Sequence, residues 1–279
     1  LKLAYLNYYI GIFLPIAKNR VRDGKIFFVD AFGGSGLVKI KGTKVYVRGS
    51  SLLAALANVE QRHKGYFHKV YSFELDKTRY RLLEERFEEI QKRIPDIELI
   101  AIHGDVNEKI GDIADDINSN DYGILFIDPE GMEPDMIKFM QLTEKSQYID
   151  IMMNYTAGIN RVIGAIKSGT APPGLIEKVK KFIPTFDSSK ELNEAVEELF
   201  NEKFGKPRWK EVKIKSKGNK VEYSMIIRVR RTASGAKFLE GMNKIIECIE
   251  KMDGEKVKTM LLVPPLDSLL KKQKKQETL

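Results

Sequence analysis

The sequence has few of the residues that build disulfides and metal sites. It contains one cysteine, Cys248, and three histidines in 279 residues. A single cysteine excludes an internal disulfide framework, and the histidines show none of the spacings typical of metal ligands. We therefore expect no metal site and a chain suited to a reducing compartment.

Long apolar stretches and a targeting leader are also missing. No apolar run approaches the roughly 20 residues that a membrane-spanning helix needs, so we expect no membrane partner. The first residues, LKLAYLNYYIGIFLPIAKNR, lack a basic leader followed by a small-residue cleavage site. Their apolar residues recur at helical spacing, which predicts an amphipathic helix over residues 2–22. Together with the single cysteine, this predicts a cytoplasmic protein.

The chain combines an ordinary globular composition with one strongly basic segment. Hydrophobic residues make up 43% of the chain and charged residues 31%. Between Lys203 and Arg231 stand eleven Lys or Arg and two Glu, a local charge of +9 in a chain whose total is +8. The basicity is therefore local, which favours an acidic partner at this segment.

Apolar, β-rich runs alternate with helical patterns over the first two thirds of the chain, which is typical of βαβ units. Strands are predicted at Lys25–Asp30, Lys69–Glu74, Glu98–His103, Gly123–Ile127 and Tyr148–Met152. Helices are predicted at about Ser51–Arg62, Lys77–Arg93, Asn107–Asn118 and Pro134–Leu142. A helical stretch follows from Asn154, two alternating runs joined by a Gly-Asn pair predict an antiparallel hairpin, and a last helix is predicted at about Ala236–Met252.

Parallel strands followed by an antiparallel hairpin resemble the strand plan of class I S-adenosylmethionine-dependent methyltransferases. The resemblance implies an α/β, Rossmann-like fold with a mostly parallel seven-stranded sheet, an antiparallel terminal hairpin and helices on both faces. We expect a single domain over residues 1–260 with a helical insertion at about 155–204, and a basic tail over 261–279.

Each predicted parallel strand ends on a polar group. The strand ends carry Asp30 with the glycines of AFGGSG, then Glu74, Asp105, Asp128 and Asn154. Ligands of open parallel sheets bind at the carboxyl ends of the strands. Gly34 and Gly36 allow the backbone to approach a ligand closely. Glu74 can accept both ribose hydroxyls of a nucleoside, and Asp105 can accept from an adenine amine.

These residues also have structural alternatives. A glycine-rich turn after a strand is often only a turn, and Asp76 and Asp105 each precede a helix that they could cap. A nicotinamide-binding turn fits less well, because its glycines open a helix and an acid follows about 20 residues later. Here Gly36 leads into LVKIKGTKVYVRGSS, for which a mobile cover over the cofactor and a structural β-hairpin both stay open.

The motifs become specific when they are taken together and in order. VDAFGGSG resembles the Asp-x-Phe-x-Gly-x-Gly loop of nucleic-acid methyltransferases, and Phe32 separates it from a dinucleotide fingerprint. The series KL…YL, DAFGGSG, GSSLLAAL, FELD, GDVN, FIDPEG and NYTAGINR, over residues 2–161, resembles the three-Cys-motif partner protein family. That resemblance implies S-adenosylmethionine as cofactor and, as a possible partner, a protein with three cysteines. The predicted cofactor site is Asp30, Phe32, Gly34, Gly36, Glu74, Asp105 and Val106.

The catalytic prediction centres on FIDPEG. Methyltransferases that act on adenine or cytosine amines resemble one another in an Asp/Asn-Pro-Pro-Tyr/Phe loop, which receives an unpaired or flipped base. Asp128 and Pro129 fit that loop, whereas Glu130 and Gly131 replace its second proline and its aromatic residue. We predict catalytic roles for Asp128, Pro129 and Asn154. Two alternatives stay open: a strand-exit turn without chemistry, and a nucleoside-binding module that partners another protein without transferring a methyl group.

The basic segment predicts a nucleic-acid surface. Its candidate contacts are Lys213, Lys215, Lys217, Arg228 and Arg230. Lysines on an edge strand also protect a sheet from aggregation, but a local charge of +9 exceeds what that protection needs. Helical spacing would place Asn154 and Arg161 on one face, where Arg161 binds a phosphate or forms a surface salt bridge. Asn154 could instead cap the helix.

Overall fold

The computed structural model describes residues 2–40, 42–60, 65–156, 158–187, 189, 194–195, 198–199, 209–215, 221–228, 246–247, 249 and 254–262. The helices are α1 (Lys2–Lys18), α2 (Ser50–Glu60), α3 (Lys77–Arg93), α4 (Val106–Lys109), α5 (Met136–Lys145), α6 (Gly158–Lys167), α7 (Leu175–Phe182) and α8 (Gly254–Leu261), with a 3₁₀ helix at Ile110–Asp116. The strands are β1 (Ile26–Asp30), β2 (Leu37–Lys39), β3 (Tyr46–Arg48), β4 (Lys69–Glu74), β5 (Glu98–His103), β6 (Tyr122–Ile127), β7 (Ile149–Thr156), β8 (Trp209–Lys215) and β9 (Val221–Arg228).

The chain divides into two compact units. The first contains residues 1–105, 120–123 and 241–279, and the second contains 106–119 and 124–240. In the described part of the chain, seven strands belong to the main sheet. The first unit contains β5, β4 and β1, in that order, and the second contains β6, β7, β9 and β8. The division between the units falls within β6, whose residues from Ile124 on belong to the second unit. The predicted α/β fold with an antiparallel terminal hairpin is confirmed.

The first unit is built on three parallel strands. β1 pairs with β4, so that Asp30 lies opposite Ser72, and β4 pairs with β5, so that Glu74 lies opposite His103. β1 and β4 are buried along their whole length, which is typical of parallel strands covered on both faces. In α1, the rings of Tyr9 and Phe13 are fully buried, and Phe13 stacks on Phe67 at 6.3 Å between ring centroids.

Two side chains accept hydrogen bonds from the backbone at the amino end of β1. The backbone N–H of Ile26 donates to His68 Nδ1 at 2.8 Å, and that of Lys25 donates to Asp121 Oδ1 at 2.6 Å. Burial lowers the pKa of His68 below its ordinary value. The neutral form of His68, with Nδ1 as an acceptor, is therefore the form that fits this strand end.

The segment after the glycine loop forms a β-hairpin. β2 and β3 pair antiparallel, with Leu37 opposite Arg48 and Lys39 opposite Tyr46. The side chain of Arg48 is buried, and its Nη2 donates to the carbonyl of Met260 in α8 at 2.9 Å. The hairpin is therefore held by the last described helix of the same unit.

The second unit confirms the predicted terminal hairpin. β7 pairs antiparallel with β9, and β9 pairs antiparallel with β8. The register of β8 on β9 shifts between Ile214 and Lys215, an irregularity of the kind that bends an edge. β7 is longer than predicted and continues to Thr156.

Several boundary predictions differ from the structure. The helix predicted from Asn154 begins only at Gly158, because Asn154 still pairs with Met225 across β7 and β9. The helix predicted at 107–118 is a short α-helix followed by a 3₁₀ helix, and α1 ends at Lys18 rather than at residue 22. Of the helix predicted at 236–252, the structure describes residues 246, 247 and 249. Within the described residues, no helix has the length and apolar character to cross a membrane.

Candidate functional site

A buried hydrogen-bond network fixes the start of the glycine loop. Asp30, the last residue of β1, is fully buried, and its Oδ2 accepts from the hydroxyls of Ser50 at 2.6 Å and Ser51 at 2.5 Å. Ser51 also exchanges a hydrogen bond of 2.8 Å with Ser72 of β4. The N–H of Phe32 donates to Asp30 Oδ1 at 3.3 Å. Asp30 and Ser51 together link β1, α2 and β4 in this network, and so the network positions the loop.

The glycines of the loop are required for different structural reasons. A Cβ atom on Gly33 would lie 1.9 Å from Ser72 Oγ, so only glycine fits beneath the network. Gly34 and Gly36 have φ values of +59° and +82°, in the region that favours glycine. No heavy atom lies within 4 Å of the position of a Cβ on Gly34, which leaves open space beside the backbone there. Gly34 is therefore a point of the loop at which the backbone has free space beside it.

Glu74 is a buried acid at the carboxyl end of β4. Its Oε1 accepts from the N–H of Asp76 at 2.7 Å and lies 3.5 Å from Arg79 Nε. Asp76 caps α3, since its side chain accepts from the N–H of Arg79 at 2.8 Å. The structural alternative is thus confirmed for Asp76, whereas the Glu74 carboxylate is held at the strand end by its own loop.

Leu75 was not singled out from the sequence. It follows Glu74 directly and is 68% exposed, the largest exposed fraction among the large apolar side chains of the described residues. An apolar side chain left in solvent beside a buried carboxylate offers one face for an aromatic base and one acceptor for its sugar. The sequence does not show that this leucine is exposed, and single exposed apolar residues are common. Leu75 is notable only because the structure places it at the end of β4, next to Glu74.

The end of β5 carries Asp105. Gly104, with φ of +137°, turns the chain after the strand, and its N–H donates to the carbonyl of Glu74 at 3.1 Å. Asp105 is half-buried in the first unit. Nearby, the ring of Tyr80 packs on His103 with centroids 5.1 Å apart, and a hydrogen bond to the Glu84 carboxylate raises the pKa of Tyr80. Asp30 and Glu74 thus end β1 and β4, and Asp105 follows the end of the neighbouring parallel strand β5.

The predicted catalytic residues lie in the second unit, where two of them are in contact. Asp128 follows β6 and is half-buried, and Asn154 lies in β7 and is fully buried. Asn154 Nδ2 donates to Asp128 Oδ1 at 2.8 Å. Pro129 is buried beside Asp128 in the chain. The structure therefore joins Asp128 and Asn154 into one polar pair, although they are 26 residues apart.

Hydrogen bonds order the segment after Asp128. The N–H of Gly131 donates to Glu133 Oε2 at 2.7 Å. Asn107 donates from Nδ2 to the carbonyl of Glu133 at 2.9 Å and accepts on Oδ1 from the N–H of Asp135 at 2.8 Å. Asn107 belongs to the GDVN motif, but the sequence did not show that it holds the segment after DPEG. Loop contacts of this kind depend on tertiary structure and leave no periodic pattern.

The remaining predicted residues fall in three places. Val106 is buried as the first residue of α4 in the second unit. Lys213 and Lys215 lie in β8 and Arg228 ends β9, whereas Lys217 and Arg230 lie outside the described residues. Arg161 is exposed on α6, and because Asn154 is in a strand, the helical spacing proposed for this pair is wrong. Among the described residues, no group of three or more His, Cys, Asp or Glu could hold a metal ion.

No family model and no curated protein matches the sequence. Solved structures are similar at low identity. Protein LPL1258 from Legionella pneumophila is 13% identical, over 88% of this chain and 91% of that one, with a TM-score of 0.49. Trm1 from Pyrococcus horikoshii, solved with S-adenosyl-L-methionine, is 10% identical over 85% of this chain and 57% of that one, with a TM-score of 0.43. An O-methyltransferase from Bacillus cereus, in complex with SAH, is 13% identical over 81% and 80%, with a TM-score of 0.43. No residue role passes to this chain at these identities.

Proposed function

We propose that the protein is an S-adenosylmethionine-dependent methyltransferase that acts on a base of a nucleic acid. The observation that carries the proposal is the buried carboxylate of Glu74 at the end of β4, between the glycine loop that follows β1 and Asp105 beyond β5. In parallel sheets, nucleosides bind at such ends, with an acid on the ribose hydroxyls. A nucleoside requires an acceptor for its ribose hydroxyls, space for close approach to the backbone and an apolar surface for its base. An acid, a glycine with free space beside it and an exposed apolar side chain supply these three.

The residues of the first unit fit a nucleoside better than a dinucleotide. Pyrophosphate binds where a glycine turn opens a helix, because the first N–H groups of the helix point at the phosphates. Here Gly36 is followed by β2 rather than by a helix. A sulfonium nucleoside carries no phosphate and needs no helix N-terminus.

Each residue has a separate task in the proposal. Glu74 accepts the ribose hydroxyls, chiefly through Oε2, since Oε1 already accepts from Asp76. Leu75 covers one face of the adenine, and Asp105 accepts from its amine. Gly34 lets the amino-acid part of the ligand approach the loop. When bound, S-adenosylmethionine supplies an electrophilic methyl group, and the chain binds and orients both reactants.

The nucleic-acid substrate is supported by the local charge of +9 between Lys203 and Arg231. Part of this segment forms the β8–β9 pair, with Lys213, Lys215 and Arg228 in its strands. Each Lys or Arg that neutralises a phosphate adds affinity that decreases with salt concentration. The resemblance to three-Cys-motif partner proteins supports a further proposal, that a protein with three cysteines binds this chain.

Calorimetry with S-adenosylmethionine tests the cofactor proposal. We expect the wild type to release heat on binding, and Glu74→Ala to weaken binding by at least about tenfold, because a lost hydrogen bond to a charged group is worth about 1.5–3 kcal/mol. Glu85→Ala, which changes an exposed acid on α3, is the matched control and should bind as the wild type does. A folded wild type without binding heat would exclude this function.

Transfer of tritium from the labelled methyl group to total RNA and DNA separates an enzyme from a nucleoside-binding module. The replacement of the usual Pro-Pro-aromatic loop by DPEG is the observation that favours the module. Label that appears with the wild type and is lost with Asp128→Ala supports the enzyme. Cofactor binding without label in either nucleic acid supports the module.

A further inference from the structure

The β2–β3 hairpin carries a positive charge that the proposed cofactor site does not use. Residues 37–48 contain four Lys or Arg and no acid, a charge of +4. The whole chain totals +8, of which +9 lies between Lys203 and Arg231, so the rest of the chain nets −1. Lys39 and Lys44 are exposed, and neither forms an ion pair in the part of the chain that the structure describes. A cluster of exposed cations in an otherwise slightly acidic part of the chain indicates an anionic ligand.

An exposed aromatic ring lies beside these lysines. Tyr46 is 52% exposed, the largest exposed fraction among the aromatic side chains of the described residues. It stands directly opposite Lys39 in the register of β2 on β3, so the two side chains project from the same face of the hairpin. Within the described structure, Tyr46 has neither a ring contact nor a side-chain hydrogen bond. The ring and the cation are therefore both accessible to one ligand.

The hairpin that presents these side chains is held at its tip and at its base. At the tip, the N–H of Ile40 donates to the carbonyl of Val45, and the hydroxyl of Thr43 donates to the carbonyl of Ile40, each at 2.9 Å. At the base, the buried Arg48 donates to α8. A surface that is already ordered loses less conformational freedom when a ligand binds.

Protection of a sheet edge accounts for only part of this surface. Lysines on an outer strand prevent strands of other molecules from pairing, which would explain Lys39 on β2. Tyr46 lies on β3, which pairs with β2 and, through a bridge between Val47 and Leu262, with a second segment. An exposed ring on this inner strand does not protect an edge. Its exposure is better explained by a ligand that uses the face of the ring.

The geometry points to a nucleic acid with unpaired bases. We propose that the β2–β3 hairpin binds a single strand, with a base stacked on Tyr46 and with Lys39 and Lys44 on phosphates of the same strand. Aromatic rings bind unpaired bases through their faces, and cationic side chains follow the backbone. In a duplex the faces of each base are covered by neighbouring bases, so the ring selects single strands.

This inference rests on the proposed function and deepens it. A base that is to be modified must be unpaired or flipped out of its stack. The hairpin belongs to the first unit, as do Glu74 and the glycine loop, and it is separate in the chain from the basic segment of β8 and β9. The inference therefore names the form of the substrate, a single strand, and an element that binds it.

Fluorescence anisotropy with labelled poly(dT) and poly(U) tests the stacking contact. Tyr46→Ala should weaken binding of the tighter polymer by about fivefold or more, the effect expected when one stacked base is lost. Tyr46→Phe keeps the ring and should bind as the wild type does. Tyr66→Ala, at a tyrosine of the same unit that is 38% exposed, is the matched control and should change nothing. The duplex poly(dA)·poly(dT) should bind equally to the wild type and to Tyr46→Ala.

The salt dependence of binding tests the two lysines. For single strands, each neutralised phosphate contributes about −0.7 to the slope of log K against log salt concentration. The double variant Lys39→Gln, Lys44→Gln should therefore have a slope less steep by about 1.4. The double variant Lys18→Gln, Lys92→Gln, at exposed lysines of the same unit, should keep the wild-type slope. Equal slopes in the two double variants would contradict the phosphate contacts.

The outcomes separate this inference from the proposed function. Unchanged single-strand binding in Tyr46→Ala overturns the inference, and so does an equal loss of binding to single strands and to the duplex. Because Tyr46 is exposed, its variants should fold, and circular dichroism checks this. If the wild type binds no single strand but S-adenosylmethionine releases heat, the inference and the nucleic-acid substrate fail and the cofactor site stands. If single-strand binding depends on Tyr46 but the cofactor gives no heat, the hairpin site stands and the methyltransferase is excluded.

Discussion

Asp30 and Ser51 are joined by a hydrogen bond of 2.5 Å between Asp30 Oδ2 and the Ser51 hydroxyl, although 21 residues separate them. Both side chains are fully buried. The contact connects the end of β1 to the first turn of α2, and the intervening segment contains the whole glycine loop and the β2–β3 hairpin. The shape of the loop is therefore set at both of its ends by one carboxylate.

Asp30→Asn should destabilise the protein. The amide presents N–H groups where two serine hydroxyls now donate, and a hydrogen bond to a charged group is worth about 1.5–3 kcal/mol. We expect the free energy of unfolding in urea to decrease by about 1–3 kcal/mol. Asp23→Asn, at an exposed aspartate, should stay within about 0.5 kcal/mol of the wild type. Equal urea midpoints for both variants would contradict a structural role for the network.

Gly33→Ala should also lower the free energy of unfolding. Its Cβ would lie 1.9 Å from Ser72 Oγ and 2.9 Å from Ser51 Oγ, so the buried network has to move. Overpacking of this kind costs about 1–3 kcal/mol. Gly111→Ala is the matched control, because no heavy atom lies within 4 Å of that Cβ. If thermal denaturation gave both alanine variants the same midpoint, the close packing described around Gly33 would be contradicted.

Arg48→Met should loosen α8 and the hairpin together. Arg48 donates to the carbonyls of Met260 at 2.9 Å and Leu261 at 3.5 Å, and these belong to the last turn of α8. Unpaired carbonyls at a helix end are stabilised by such donors. We expect faster hydrogen exchange at the amides of α8, with the amides of β4 unchanged. Lys44→Met, at an exposed lysine between β2 and β3, should leave both rates as they are.

The stability of the first unit should decrease in mild acid because of His68. Burial lowers the pKa of His68 from 6.5, so between the two pKa values the unfolded chain binds more protons than the folded one. The contribution of His68 is complete above pH 6.5 and is lost as the pH falls through the folded-state pKa. His68→Asn keeps an acceptor for the N–H of Ile26 without titrating, so its unfolding free energy should change less with pH in this range. A wild-type slope in a folded His68→Asn would refute the assignment.

The sequence was sufficient for elements with a strong local pattern. β4, β5 and α3 begin and end where predicted, because short apolar runs, a capping Asp76 and helical spacing are all local signals. Asn154 shows the opposite case. Its neighbours read as a helix, but pairing with β9 keeps it in a strand, and tertiary pairing overrides local propensity.

In the candidate site, too, some features could be predicted from the sequence and others could not. The acids at strand ends could be predicted, since a strand end is visible in the sequence. The contacts around them could not, because Ser50 and Ser51 reach Asp30, and Asn107 reaches the segment after Asp128, only in the folded chain. The contact between Asp128 and Asn154 likewise requires two strands to be in place before the spacing of the residues means anything.

The bond between Arg48 and Met260 spans 212 residues, which has a consequence for synthesis of the protein in the cell. Ribosomes add about 5–20 residues per second, so roughly 10–40 s pass between the two residues. β1, β4 and β5 are complete by His103 and can pair early, whereas the hairpin after the glycine loop waits for its helix. During translation β2 and β3 are therefore made long before the helix whose carbonyl accepts from Arg48.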